Sequence, residues 1–133
     1  MINFDQDAPL DSFEWEYILF EFIKRYSIGF IKMELLMHFY RNQSDPEKVA
    51  QIVTHTGYRH QEIIVNISKL VAEHLLGARP PAAAPEDAVY FRLEAREFSG
   101  RNLVHQIIER MAQKFNERDG RLKIIYSILK AQD

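Results

Sequence analysis

The stretch Val49-Ala50-Gln51-Ile52-Val53-Thr54-His55-Thr56-Gly57-Tyr58-Arg59-His60-Gln61-Glu62-Ile63-Ile64-Val65-Asn66-Ile67-Ser68-Lys69-Leu70 decides how this chain is read. It predicts two helices joined by a tight turn. Small Ala50 lets the two helices pack closely, and Gly57 falls at the turn between them. Ile63, Ile67 and Leu70 then recur at spacings of four and three, which places them on one stripe of the second helix. Upstream, Asp45-Pro46-Glu47 predicts the start of the first helix, because Asp45 is a good N-cap and proline is favoured at the first helical position. Downstream, the second helix is expected to run from about His60 to Leu76, with Gly77 as its natural stop.

Further out, Pro80, Pro81 and Pro85 rule out a continuous helix or a central strand in the loop from Ala78 to Asp87. Residues 88–94 predict a strand with Val89, Phe91 and Leu93 on one face. Its hairpin partner would have to come from about Leu76–Arg79, so any sheet is small. At the front, residues 1–11 read as a flexible arm. A helix is expected from near Ser12, capped by that serine, through Tyr26. Its run Phe13, Trp15, Tyr17, Phe20, Phe22 and Tyr26 is apolar on nearly every side, so its own domain or a second copy must cover it. Another helix is expected from Phe30 to about Asn42, with Lys32, Glu34 and Arg41 facing water. At the back, Ser99 is placed to cap a helix carrying Leu103, Ile107, Ile108, Met111 and Phe115. Asp119-Gly120 marks a break before a final helix from Arg121 to about Gln132. The 99–132 region is the expected partner of the first long helix.

The Ala50, Gly57, Ile63, Ile67 and Leu70 pattern resembles the helix-turn-helix of winged-helix transcription regulators, such as the MarR-like and ArsR-like groups. The likeness covers about Phe30 to Leu93. Tyr26-Ser27-Ile28-Gly29-Phe30-Ile31-Lys32, with Arg121-Leu122-Lys123-Ile124-Ile125-Tyr126-Ser127-Ile128-Leu129 much later, is similar to uncharacterised bacterial winged-helix proteins whose terminal helices flank the motif. The resemblance implies a mainly helical winged helix-turn-helix with a small β-wing and extra N- and C-terminal helices. It would form a single domain over residues 12–133, with the helix-turn-helix at about 45–76, the wing at about 77–95 and C-terminal helices at about 99–132.

It also implies a cytoplasmic DNA-binding transcription regulator acting as a homodimer through its N- and C-terminal helices. Such proteins lay the second helix in the major groove of double-stranded DNA. Arg59, His60, Gln61, Asn66 and Lys69 would face the duplex, and the wing would add Arg79 and Arg92. Arg59 could grip a guanine or a phosphate, Gln61 and Asn66 could pair with adenine, and Lys69 could neutralise phosphate. Glu62 opposes this, as do the apolar Ile64 and Val65 near a face that should be wet. The alternative is a winged helix used for protein–protein interaction or assembly, without DNA.

Composition sets the outer limits. The chain has 133 residues, 47% of them apolar, enough for one domain with a real core. Its net charge of -2 supplies none of the basic excess that marks many nucleic-acid binders. With no cysteine, disulfides, thiolate-bound zinc, iron–sulfur clusters and thiol catalysis are excluded. No apolar run is long enough for a membrane span, and the acidic start lacks the features of a secretory signal. His38, His55, His60, His74 and His105 form no H-x-x-x-H or HExxH pair, so neither a metal site nor a cofactor is expected. No phosphate-binding glycine loop or nucleophile elbow occurs, and no enzyme activity is expected.

Overall fold

The computed structural model describes residues 2–41, 45–80 and 83–132. The chain divides into two units: Ile31–Leu93 forms one, and the segments before and after it form the other. Among the described residues it is mainly helical, with six α-helices and one small antiparallel sheet. No helix among them is long and apolar enough to cross a membrane.

The Ile31–Leu93 unit begins within helix α2 (Phe30–Arg41), which follows α1 (Trp15–Arg25) of the other unit. Helix α2 is buried on nearly all sides through Met33, Leu35, Leu36, Met37, Phe39 and Tyr40. Lys32, expected in water, is buried as well, and its Nζ lies 2.8 Å from Glu73 Oε1. An ammonium can be buried only when such a partner offsets its lost hydration. The expected end of this helix at Asn42-Gln43-Ser44 lies outside the described residues.

Helix α3 (Val49–Thr56) starts later than Asp45-Pro46 suggests. Its N-cap is Lys48, whose backbone N–H donates to Gln51 Oε1 at 2.8 Å. Glu47 stays extended instead, because it pairs with the strand residue Tyr90 in both directions, N–H to carbonyl at 3.0 and 2.8 Å. Two backbone hydrogen bonds to the sheet thus replace the first turn of a helix.

Gly57 closes α3 as foreseen. Its φ is +80°, and its N–H donates to Val53 O at 2.9 Å. This is the left-handed C-cap that glycine adopts without a Cβ clash. Helix α4 (His60–Ala72) follows, with Ile63, Ile67 and Leu70 fully buried on one stripe.

Helix α4 ends before the predicted Gly77. His74 takes φ +57°, and the N–H of Leu75 turns back to Leu70 O at 2.9 Å. The early turn lets Leu75 and Leu76 point inward, where both are buried. Burying two leucines stabilises by several times the cost of a left-handed histidine.

Gly77 therefore lies in strand β1 (Gly77–Arg79), which pairs antiparallel with β2 (Val89–Phe91) in the register Gly77 to Phe91, Ala78 to Tyr90 and Arg79 to Val89. A Cβ on Gly77 would lie 2.3 Å from the Phe91 ring, so this position needs glycine for the cross-strand ring to cover it. Pro81 and Ala82 of the connecting loop lie outside the described residues. The predicted strand is real but shorter, and its inward residue is Tyr90 rather than Val89 and Phe91. Tyr90 sits between Ala78 of β1 and Glu47 on its other side, and its hydroxyl donates to Pro85 O at 2.9 Å. Burial first, and the Glu86 carboxylate second, raise its pKa above the usual 10.0. The phenol therefore stays protonated, with its hydrogen available for that bond.

In the other unit, α1 packs on α6 (Arg118–Ala131), and α6 packs on α5 (Asn102–Phe115). Ile18, Leu19, Phe22 and Ile23 of α1, Leu103, Ile107, Ile108 and Met111 of α5, and Ile124 and Ile128 of α6 are buried. The C-terminal region thus covers the first long helix, as expected. That helix begins at Trp15 rather than Ser12, which belongs to a short 3-10 turn, Leu10–Ser12. The N-terminal residues expected as an arm contribute to the core. Phe4 and Leu10 are buried, Leu10 N–H donates to Gln106 Oε1 at 2.9 Å, and the Phe4 ring meets Phe22 edge-on at 5.9 Å.

Ser99 does not cap α5, whose N-cap is Arg101. Gly120 is no break either: it lies in the first turn of α6, buried against the backbone of Lys114.

Candidate nucleic-acid interface

The buried stripe Ile63, Ile67 and Leu70 fixes which side of α4 faces outward. At about 100° per residue, the opposite ridge is Gln61, Val65, Ser68 and Ala72, and all four are exposed. This ridge carries no acid. It is also small at Ser68 and Ala72, so another backbone or a groove wall can approach closely. Val65, 40% exposed, sits in the middle. An apolar group here is compatible with a duplex, since a thymine methyl is an apolar feature of the major groove.

Four of the residues expected at this interface flank or join that ridge. Arg59 is the N-cap of α4, with its side chain 89% exposed. His60 and Gln61 are exposed in the first turn, and Lys69 is exposed roughly 13 Å further along the axis at 1.5 Å per residue. Glu62, which counted against DNA, is engaged locally. Its Oε1 accepts from the Arg59 backbone N–H at 3.1 Å and lies 3.5 Å from Arg59 Nε. The carboxylate therefore serves the positive end of the helix, where a negative charge is favourable. Seven residues before Lys69, it lies on the same flank of the ridge as that lysine, so the two opposite charges share one side of the helix.

The remaining expected residues are placed differently. Asn66 is half-buried, and its Nδ2 donates to Glu62 O at 2.8 Å within the helix. Arg79 is exposed on β1, its guanidinium 4.5 Å from the centre of the Phe91 ring. Arg92 is half-buried, donating from Nη1 to Tyr40 O at 3.4 Å, with its guanidinium 5.2 Å from the centre of the Tyr40 ring. Arg59, His60, Gln61 and Lys69 thus share the α4 surface, whereas Arg92 is tied to α2.

Tyr58, in the turn between α3 and α4, is half-buried. Burial, then Glu34, then Glu62 raise its pKa above the usual 10.0, so it remains a neutral hydroxyl at the edge of this surface.

A second constellation was not foreseen. Glu47, its side chain only 5% exposed, sits between two histidines. His38 Nε2 lies 2.6 Å from Glu47 Oε1, and His55 Nδ1 lies 2.6 Å from Oε2. The two imidazole rings are 5.7 Å apart. These residues come from α2, the extended segment beside β2, and α3. No short motif joins them, and only the fold reveals the cluster.

Comparison with protein-family models, with curated proteins and with solved structures gives no match.

Proposed function

We propose that Ile31–Leu93 is a winged helix-turn-helix unit that binds double-stranded DNA through α4, and that the chain acts as a transcription regulator. The observation that carries this reading is the exposed ridge Gln61, Val65, Ser68 and Ala72 of α4, which bears no acid, with exposed Arg59 at the helix N-cap and exposed Lys69 on its flank. The order of elements supports it: helix, extended pairing residue, helix, turn, helix, strand, strand. In that arrangement the second helix after the pairing residue is the one that enters the major groove. Arg79 on β1 lies next to the loop that would act as the wing.

The test is binding to a mixed-sequence duplex pool at low salt, read by fluorescence anisotropy. The wild-type chain is expected to bind, with affinity falling steeply as salt rises. Arg59→Ala with Lys69→Ala should weaken binding and make the log–log salt slope shallower by about 2, close to one for each phosphate contact removed. No binding by the wild type, or an unchanged slope in the double variant, would remove the DNA reading. Exposed Val65 would then favour the protein-interaction alternative.

We also propose a homodimer. Leu122, Tyr126 and Leu129 recur at spacings of four and three on α6, and all are exposed, Tyr126 by 76%. An apolar stripe with this period suits a second copy packed across a two-fold axis. Tyr126→Glu is expected to convert a dimer to a monomer in sedimentation experiments at micromolar concentration, with helical content unchanged. A wild-type monomer would contradict this assignment.

A further inference from the structure

We propose that His38, Glu47 and His55 form a binding site for one divalent transition-metal ion of the zinc class. One nitrogen from each histidine and one carboxylate oxygen all lie within 4.8 Å of one another. Zinc bonds of about 2.0–2.2 Å to such atoms place tetrahedral ligands about 3.4 Å apart. The donors are thus gathered closely enough for one ion, which would replace the two 2.6 Å contacts between the imidazoles and Glu47 and open them to about that separation. Of the two imidazoles, His55 has the more room to adjust, with its side chain 55% exposed against 14% for His38. Glu47 is anchored to Tyr90 through both its backbone N–H and its carbonyl, and its side chain is only 5% exposed, so its carboxylate is the confined member of the site.

The donor set chooses the class of ion. Two imidazoles and one carboxylate suit zinc, cobalt or nickel, whereas calcium and magnesium prefer oxygen ligands. Each imidazole can present a lone pair to the ion by carrying its proton on the other ring nitrogen. Three protein ligands leave a further position for water or another small donor. His55 provides the solvent-facing side of the cluster. Bound there, the ion would tie α2, the Glu47 segment and α3 together within one unit. The site does not depend on the DNA-binding reading.

The experiment uses the full chain, stripped with a chelator and titrated calorimetrically with Zn2+. One ion per chain is expected, with affinity in the micromolar range or tighter. Because His38 and Glu47 lie inside the fold, the deciding variant is exposed His55→Ala, with folding checked by circular dichroism. Outer-shell partners of a metal are worth roughly 10–100-fold in affinity, so loss of a direct ligand should weaken binding by at least that much. At equal zinc concentration the thermal midpoint should also rise more in the wild type than in His55→Ala. His60→Ala should bind zinc as the wild type does. Failure of the wild type to bind zinc overturns the assignment. So does a loss of less than about tenfold in His55→Ala, or loss of binding in His60→Ala.

Discussion

Tyr40→Phe is expected to destabilise the Ile31–Leu93 unit by about 2–4 kcal/mol, although it removes a single oxygen. The hydroxyl of Tyr40 is buried and works in both directions. It donates to Leu75 O at 3.1 Å and accepts from Leu93 N–H at 3.1 Å. One bond reaches the turn that ends α4, and the other reaches the chain just after β2. Phenylalanine would keep the ring packing and its contact with the Arg92 guanidinium. It would leave the Leu75 carbonyl and the Leu93 amide without those partners. A buried polar group that loses its partner costs roughly 1–3 kcal/mol, well above the net worth of an ordinary hydrogen bond. Urea unfolding followed by far-ultraviolet circular dichroism gives the value. A loss below about 1 kcal/mol would mean that water reaches these groups and that Tyr40 does not hold the two ends together.

Gly120→Ala tests a rule that runs against helix propensity. In an exposed helix this change would stabilise by about 1 kcal/mol, because glycine is a poor helix former. Here a Cβ would lie 2.4 Å from Lys114 O and 2.9 Å from Lys114 Cβ. The obstructing oxygen belongs to backbone at the end of α5, so no side chain can swing aside. Overpacking of this kind costs about 1–3 kcal/mol and sometimes more. A backbone obstacle belongs at the upper end of that range. The expected net loss is about 2 kcal/mol, read as a lower urea midpoint with an unchanged slope. A gain in stability would show that α5 and α6 are free to separate and that the glycine is not required by their close approach.

Much of the helical order was legible because it depends on local pattern. Ile63, Ile67 and Leu70 mark a stripe whatever the surroundings, and Gly57 is a stop signal whose chemistry is intrinsic. The loop prolines likewise limited the strands to the segments on either side. What could not be read depends on distant partners. Asp45-Pro46 looks like a helix start in isolation, but Glu47 gains two backbone bonds to Tyr90 by staying extended. Gly77 and Gly120 look like punctuation, yet both are needed for close packing, one under the Phe91 ring and one against Lys114. Lys32 looks like a solvated lysine until Glu73 is seen beside it.

The same division applies to the sites. Arg59, His60 and Gln61 are consecutive at the start of one helix and Lys69 lies about two turns further along it, so the sequence could place them on α4, although not on one face of it. Asn66 and Arg92 fit the pattern too, but their partners are local to the fold and visible only in three dimensions. His38 and His55 are seventeen positions apart with Glu47 between them, a spacing that matches no short ligand motif. Their meeting depends on α2, the paired segment beside β2, and α3 all being in place.

Backbone hydrogen exchange on the full chain, with and without a saturating duplex pool at low salt, tests the DNA-binding proposal most directly. Added protection should concentrate in His60–Ala72 and extend to Gly77–Arg79, while the exposed face of Arg118–Ala131 is unchanged by DNA. Protection that bypasses α4 altogether, or no change anywhere under conditions where other duplex-binding domains respond, would contradict it.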